Sequence, residues 1–370
     1  MDFGKIVLKG FEKLINNRTS GEANNRISQN NSRPYATSDG SQNQPVDIQL
    51  TAEIRTNDIE PPPFQGEFAK TLFLWSLKKP TPLSKDTYYN SYLLWEGGIR
   101  NCYAYHQQLF AEGYFKPAEF KDLAENLKAT DLKEILSGLG LPKSGKKADL
   151  VDRVIHHATI ETLSKYYPEP VYVLSSLGEE YLETHSDYIE IHRHNWGFGY
   201  EEYDREHRDG ERFEETAIRL MQKHITDDAS NFGKYQYYPM YQAYANLGKD
   251  SEALQALLKV LYIDCSCAGR KSTFDSYVEG FYTKKDLLEQ TDTLLFITPN
   301  LLDKLKPYAS IYSDAMVEEL YRWKLPVQVC TKDTFFQIVH FMMDGTGDER
   351  RAYQVLYWDY LNYLKGLRRK

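Results

Sequence analysis

The sequence predicts a mainly α-helical protein in which one small region mixes helices with short strands. Apolar residues recur at helical spacing over most of the chain beyond residue 195. Short β-leaning runs fall only within residues 114–192. Hydrophobic residues make up 41% of the 370 residues and charged residues 26%, which is ordinary for a globular chain with a sizeable core.

The first 16 residues have the pattern of a short amphipathic helix. Its apolar positions are Phe3, Ile6, Val7, Phe11, Leu14 and Ile15. Lys5, Lys9 and Lys13 lie on the opposite side. We expect this helix to dock on a partner or to lie on a membrane surface, and the sequence leaves both open.

Residues 17–66 are rich in Asn, Ser, Gln, Thr and Pro and include three consecutive prolines at 61–63. Such a segment has too little apolar surface to offset the entropy lost on ordering. We therefore predict a disordered linker between the first helix and the body of the protein.

Residues 67–194 form the predicted mixed region. Asn101 is predicted to be the N-cap and Gly113 the C-terminal glycine of one of its helices. The predicted helices here are 88–96, 101–112 and 175–183, and the predicted extended pieces begin at 114, 171 and 188.

Residues 195–370 are predicted to form an α-helical domain, because glycines and prolines separate stretches of helical periodicity. The predicted helices are 206–224, 232–246, 251–262, 284–304, 313–323, 332–343 and 350–370.

A compact pair of helices is predicted between Leu127 and Ile155. Thr130 is expected to cap the first helix, and Gly140 to end it. A second helix is expected to begin near Lys146 after a polar turn. The apolar positions that would face each other are Leu132, Ile135, Leu136 and Leu139 in the first helix and Leu150, Val151, Val154 and Ile155 in the second.

This segment resembles the SAP motif of the SAF-A/B, Acinus and PIAS type, from LKEILSGLGL in its first half to SGKKADLVDRV in its second. We assign the motif to residues 127–157. The resemblance implies a helix–turn–helix that binds double-stranded DNA with weak sequence preference, often for A·T-rich tracts.

The predicted turn has the chemistry to meet a phosphate. Gly145 would allow close backbone approach where free N–H groups and the helix dipole face an anion. Neighbouring lysines would add cationic contacts that carry no sequence information. The predicted DNA-contacting residues are Lys133, Lys143, Ser144, Gly145, Lys146, Lys147 and Arg153. The alternative is that the same basic turn contacts another protein.

The flanks, including YLLWEGGI at 92–99 and VYVLSSLG at 171–178, resemble a group of firmicute and phage proteins that contain SAP motifs. YVLSSLGEEYL is also similar to the strand-to-helix step of winged-helix proteins, although Leu177 stands where that family often has a charged residue. The resemblance implies a winged-helix-like frame with the SAP motif inserted into it.

In the helical domain, residues 241–248 followed by Glu252, Ala253 and Leu254 resemble one tetratricopeptide hairpin. No second copy follows at the required period, so a single helical hairpin within a bundle is favoured over a repeat array.

No catalytic residue, metal site or cofactor is predicted. His192 and His194 would share a face of a strand, but no further ligand motif accompanies them. The acidic residues between 204 and 215 favour a solvated helix face over a nuclease site. Cys265 and Cys267 are spaced unlike a redox CxxC pair and are expected to be two buried thiols at a helix end.

The favoured function is a non-enzymatic, cytoplasmic DNA-binding protein whose helical domain binds a protein partner. A net charge of −8 restricts DNA contact to a local basic patch. A nuclease-like enzyme delivered by its SAP motif and a scaffold whose SAP motif contacts protein are the alternatives. No membrane span is predicted, and self-association is left open.

Overall fold

A computed structural model describes residues 60–227, 234–298 and 300–367. The amphipathic helix predicted for 1–16 and the part of the predicted linker before residue 60 lie outside the described residues. The chain divides into two compact units, which meet in sequence between Asn195 and Trp196. We call them the first unit (60–195) and the second unit (196–367).

Short helices surround a three-stranded sheet in the first unit. Its helices are α1 Gly66–Ser76, α2 Tyr92–Trp95, α3 Cys102–Ala111, α4 Phe120–Asn126, α5 Ala129–Gly138, α6 Lys147–His157, α7 Ile160–Leu163, α8 Ser176–Thr184 and α9 Ser186–Arg193. Its strands are β1 Thr81–Pro82, β2 Phe115–Pro117 and β3 Val171–Leu174.

The sheet has the strand order β1-β3-β2, and both pairings are antiparallel. In this sheet Tyr172 of β3 lies opposite Thr81 of β1 on one side and Pro117 of β2 on the other. Helices α4 to α7 connect β2 to β3, and the amide of Ala118 donates to the Val171 carbonyl at 3.0 Å. The helical pair is thus an insertion whose two chain ends lie side by side.

Several sequence predictions for the first unit agree with the structure. Asn101 caps α3, since its Oδ1 accepts from the amide of Ala104 at 3.0 Å. Gly113 follows α3 with a φ of +87°. The strands predicted at 114 and 171 correspond to β2 and β3.

Other predictions for this unit are wrong. Only Tyr92–Trp95 of the predicted helix 88–96 is helical. Residues 188–192, predicted to be extended, belong to α9, in which Ile189 is buried. Helix α1, strand β1 and helix α4 were not predicted.

Helices are the only regular secondary structure in the described residues of the second unit. Its helices are α10 Tyr200–Glu206, α11 Phe213–Asp227, α12 Lys234–Asn246, α13 Asp250–Cys265, α14 Lys271–Val278, α15 Lys284–Glu289, α16 Thr291–Leu294, α17 Leu301–Leu305, α18 Asp314–Leu320, α19 Lys332–Met343 and α20 Glu349–Gly366. Two 3₁₀ turns lie at Ala268–Arg270 and Lys306–Tyr308.

The predicted long helix 284–304 is broken in the structure. The amide of Ile297 donates to the Tyr353 hydroxyl at 2.9 Å, and the amide of Thr298 donates to Asp264 at 2.8 Å. These bonds from distant segments replace the bonds that a continuous helix would make. The predicted helix 206–224 likewise begins only at Phe213.

The prediction of a mainly α protein with a small α+β region is confirmed. In the residues that the structure describes, no helix combines the length and the apolar character needed to cross a membrane.

Candidate nucleic-acid interface

A small hydrophobic core holds α4 to α7 together. Its buried members are Leu123, Ala124, Leu127, Leu132, Ile135, Leu136, Leu150, Val151, Val154 and Leu163. Most of the predicted facing positions belong to it, but Leu139 is 40% exposed, so its place in the predicted apolar face is wrong. Helices α4 and α7 supply the support that a two-helix unit needs.

Helix α5 begins two residues earlier than a Thr130 cap requires. Lys128 is the N-cap, and its amide donates to Asp131 Oδ2 at 3.3 Å. The Thr130 hydroxyl lies 3.2 Å from the other oxygen of Asp131. Gly140 has a φ of +71° and follows the end of this helix, as predicted.

Helix α6 begins where the sequence predicts, with Lys146 as its N-cap. The amide of Lys146 donates to Asp149 Oδ2 at 2.8 Å. The amides of Lys147 and Ala148 have no acceptor in the described residues. One of the N–H groups at this helix start is therefore already occupied by the unit's own carboxylate, and two have no acceptor in the described residues.

Gly145 is required by the packing of the turn itself. Its φ is +122°, and a Cβ there would lie 2.8 Å from Asp149 Oδ2 and 3.3 Å from Arg153 Nη2. The glycine was predicted to make room for a phosphate. In the structure it makes room for two side chains of α6.

Arg153 holds the turn closed. Its Nη2 donates to the Ser144 carbonyl at 2.9 Å, and its Nη1 donates to the Pro142 carbonyl. Both acceptors are neutral, so the positive charge of the guanidinium is not cancelled. Arg153 therefore fixes the backbone that carries the lysines, and it adds charge behind them.

The four predicted lysines are exposed, and none makes an ion pair within 4.0 Å in the part of the chain that the structure describes. Lys143 Nζ lies 3.4 Å from Ser137 Oγ. Ser137 follows Lys133 by one helical turn on α5, so Lys143 lies on the same side of α5 as Lys133. Lys147 Nζ donates to the Glu125 carbonyl at 2.9 Å, which places Lys146 and Lys147 beside the end of α4.

The turn therefore brings together Lys143, Ser144, Gly145, Lys146 and Lys147, with Lys133 on the neighbouring helix. Two contributors were missed from the sequence. Lys128 is exposed at the start of α5 and has no ion pair in the described residues. Asp149 competes with any phosphate at α6, and its position three residues after the cap is the signal that could have revealed it.

The other candidate sites are occupied by internal contacts. His192 lies on α9, and its Nδ1 is 2.8 Å from Glu96 Oε2. His194 lies 3.5 Å from Glu190. The prediction that these histidines share a strand is wrong. In residues 60–227, 234–298 and 300–367, no group of three or more His, Cys, Asp or Glu side chains could hold a metal ion.

The acidic residues near 211 are also engaged. Glu211 accepts both terminal nitrogens of Arg219 at 2.9 Å, and the Thr216 hydroxyl donates to it at 2.9 Å. These contacts lower the pKa of Glu211 to about 2, with the Arg219 hydrogen bonds as the largest cause. Glu214 lies 3.3 Å from Arg212.

The thiols of Cys265 and Cys267 are buried, as predicted. Cys330 is buried as well, and its burial raises the pKa of its thiol. A raised pKa leaves little thiolate at neutral pH, so the Cys330 thiol is structural rather than reactive.

The SAP domain family model matches residues 124–159 of this chain. No curated protein and no solved structure matches the chain. The chain contains a SAP domain. The match extends three to four residues beyond the predicted segment 127–155 at each end, and it includes the C-terminal residues of α4 and all of α5 and α6. A SAP domain indicates nucleic-acid binding in general.

Proposed function

We propose that this protein binds double-stranded DNA through the turn between α5 and α6 of its SAP domain. The observation that carries the proposal is the set of four exposed lysines with no carboxylate partner in the described residues, placed around a turn that Arg153 holds closed. Two amides at the start of α6 that have no acceptor in the described residues supplement them. Phosphate groups are the ligand that this combination of charge and N–H groups fits.

The proposed contact has weak sequence preference. The most discriminating base contacts in the major groove are pairs of hydrogen bonds from a planar Arg, Asn or Gln side chain to one base. Arg153 is the arginine nearest this turn, and its guanidinium already donates to the Pro142 and Ser144 carbonyls. The remaining lysines are point charges that follow the DNA backbone.

The frame around the SAP domain is proposed to be winged-helix-like. The element order helix–strand–helix–helix–strand–strand and the sheet order β1-β3-β2 support this proposal. In such a frame the SAP domain takes the place of the loop between the last two strands. The relation to firmicute and phage SAP-containing proteins stays a prediction.

The second unit is proposed to bind a protein partner and the whole chain to act in the cytoplasm. Helices α12 and α13 form a hairpin through Gly248, which has a φ of +69°. This hairpin supports the tetratricopeptide-like interpretation at the level of one helix pair. Such helix pairs present grooves that can bind other chains.

We also propose that the protein binds DNA without cutting it. Of the acidic residues that a nuclease interpretation would use, Glu211 is held by Arg219 and Glu214 by Arg212. The prediction is that duplex DNA stays intact when it is incubated with the protein and Mg²⁺. Cleavage of the DNA would instead favour the enzyme interpretation.

The decisive experiment reverses two charges of the turn. We expect Lys146→Glu with Lys147→Glu to lower duplex affinity at least about 100-fold, because it removes two phosphate contacts and adds two repulsive charges. Fluorescence anisotropy with a 20–30 bp duplex at low salt measures the loss.

The matched control is Lys249→Glu with Lys324→Glu, which makes the same charge change at two exposed lysines of the second unit. It should retain nearly all of the affinity. Circular dichroism checks that both variants fold. Unchanged affinity in a folded Lys146→Glu, Lys147→Glu variant, or an equal loss in the control, would contradict the proposal.

A further inference from the structure

The exposed side of helix α20 carries a tryptophan between amides and cations. Within residues 350–365 the exposed residues are Arg350, Arg351, Gln354, Trp358, Asn362 and Lys365. They follow one another at steps of three and four residues, apart from the two adjacent arginines. Such steps return to the same side of a helix, so the six side chains form one face. We call it the Trp358 face.

The Trp358 face is positively charged, although the chain has a net charge of −8. Between residues 350 and 365 the one acidic residue is Asp359. It follows Trp358 directly, which turns it about 100° round the helix, and it accepts from the amide of Thr331 at 2.6 Å. No carboxylate of this segment therefore offsets the three cations of the face.

Neutral groups contact two of the cations. Arg351 Nη1 donates to the Thr346 carbonyl at 2.9 Å, and its guanidinium lies 4.3 Å from the centroid of the Phe341 ring. Lys365 Nζ donates to Asn362 Oδ1 at 3.3 Å. None of the three cations forms an ion pair with another residue that the structure describes. Their charges are therefore available to an anionic ligand.

The indole of Trp358 lies in the middle of these charges and is 59% exposed. Among the described residues its ring meets one other ring, that of the adjacent Tyr357, with 6.5 Å between the centroids. An exposed indole offers a flat π surface on which another flat ring can stack. Nucleic-acid bases are flat rings joined by anionic links, which matches an indole with cations on both sides.

The amides of the Trp358 face are placed to assist such a contact. Gln354 precedes Trp358 by four residues and Asn362 follows it by four, so each lies one helical turn from the indole. Amide groups can donate to and accept from the edge of an unpaired base. From Arg350 to Lys365 the face is about 22 Å long. At about 3.4 Å per nucleotide of a stacked strand, this length corresponds to about six nucleotides.

We propose that the Trp358 face binds single-stranded nucleic acid. A base stacks on the indole of Trp358, and the phosphates on either side lie near Arg350 and Lys365. A single strand is required, because the bases of a duplex stack on one another and offer no face to a side chain. Since every base has a flat face, the contact has little sequence preference.

This inference goes beyond the proposed duplex contact and does not depend on it. Helix α20 and the SAP domain belong to different units. The lysines of the SAP turn meet phosphates alone, whereas the Trp358 face adds a stacking surface. Single-stranded and duplex probes measured on the same variants therefore separate a failure of this inference from a failure of the duplex proposal.

The test measures the fluorescence anisotropy of a fluorescein-labelled 15-nucleotide oligo-dT with the full chain at low salt. We expect Trp358→Ala to lower its affinity about 5- to 150-fold, which is the range for losing one stacked base, and to leave duplex affinity unchanged. Trp358→Phe keeps a ring and should retain most of the affinity. In the Lys146→Glu, Lys147→Glu variant, oligo-dT should still bind and should still depend on Trp358.

Trp95→Ala is the matched control. Trp95 is 50% exposed on α2 in the first unit, and that helix carries no cation. This variant should keep the affinity for oligo-dT. Circular dichroism checks that all variants fold. An oligo-uridine of the same length shows whether the bound strand is DNA or RNA, and the more tightly bound probe identifies it.

The cations are tested separately through the salt dependence. Arg350→Gln with Lys365→Gln should reduce the slope of log affinity against log salt by about 1.4 for oligo-dT, because two phosphate contacts are lost. The same change at Lys249 and Lys324, which lie elsewhere in the second unit, should leave the slope as it is.

Three outcomes would overturn the inference. One is unchanged oligo-dT affinity in a folded Trp358→Ala variant. Another is an equal loss of affinity in Trp95→Ala. The last is a 15-residue polyglutamate peptide that binds as tightly as oligo-dT and depends equally on Trp358, since the occupant would then be an acidic protein segment.

Discussion

Arg153 in the first unit and Arg219 in the second both use two nitrogens to hold a neighbouring segment, but they choose different acceptors. Arg153 donates to two backbone carbonyls, and Arg219 donates to the carboxylate of Glu211. The charge of Arg219 is therefore cancelled, while that of Arg153 is not. The difference shows that the acceptor decides whether a structural arginine also contributes to the field that a ligand meets.

The two units also differ in how acid should affect them. His106 is buried in the first unit, 3.0 Å from the Tyr89 hydroxyl, and burial lowers its pKa to about 4. Glu211 in the second unit has its pKa lowered to about 2 by Arg219 and Thr216. As the pH falls, His106 takes up its proton before Glu211 does. The first unit should therefore lose stability at a higher pH than the second unit.

The largest effect is expected at His106. The folded first unit favours the neutral ring of His106. The free energy of unfolding that this contributes is fully present above pH 6.5 and falls by about 3 kcal/mol as the pH drops toward 4. Hydrogen exchange resolved by segment, at pH 7 and at pH 4.5, measures this loss in residues 66–193.

His106→Phe removes the titrating ring and keeps an aromatic side chain beside Phe73 and Phe115. The first unit of this variant should show little change over the same pH interval. If it loses stability as steeply as the wild-type unit, another group is responsible.

Arg153→Met should have the next largest effect. It removes both bonds to the turn carbonyls, at a cost of about 1–2 kcal/mol to the SAP domain, and it frees the backbone that orients the lysines. We expect duplex affinity to fall about tenfold. Arg153→Lys should not restore it, because one ammonium group lacks the fork that spans two carbonyls. Full affinity of Arg153→Met would show that the turn orders itself without this residue.

A smaller effect is expected from Lys143→Ala. The logarithm of affinity should fall with the logarithm of salt concentration with a slope of about −3 for the wild-type chain, and Lys143→Ala should reduce the slope by about 1. Anisotropy titrations at several salt concentrations measure both slopes. A wild-type slope near zero would mean that base contacts, and not phosphates, dominate.

Arg219→Gln should have no effect on DNA binding, since the charge of Arg219 is already cancelled by Glu211. Arg219→Gln should instead change how the stability of the second unit depends on pH in acid. In the wild-type chain, stability from Glu211 is present above pH 4.5 and is lost as the pH falls toward 2. Urea unfolding across this interval should show a weaker pH dependence in Arg219→Gln, and a changed duplex affinity would break the comparison.

The SAP domain was predictable because its signals are local. The apolar spacing of α5 and α6, the glycine at 140 and the cap near Lys146 all lie within about 30 residues, and tertiary context did not override them. The internal use of Arg153 was not predictable, because a basic side chain looks the same to sequence analysis whether it binds DNA or its own turn.

Other features depend on contacts between distant segments. Strand β1 has two residues, too few to show a period, and it exists because Tyr172 and Val171 pair with it. The helix predicted at 284–304 is interrupted where the amides of residues 297 and 298 donate to Tyr353 and Asp264. No local pattern records such partners.

The base of the SAP insertion is closed by one backbone bond, from Ala118 to Val171 at 3.0 Å. A segment whose two ends already touch can be exchanged without moving anything outside it, since a tight turn could join β2 to β3 instead. The SAP domain is therefore a separable insertion between two paired strands. Over evolutionary time, DNA affinity could be gained, lost or retuned at this position by recombination, while the sheet that carries it stayed the same.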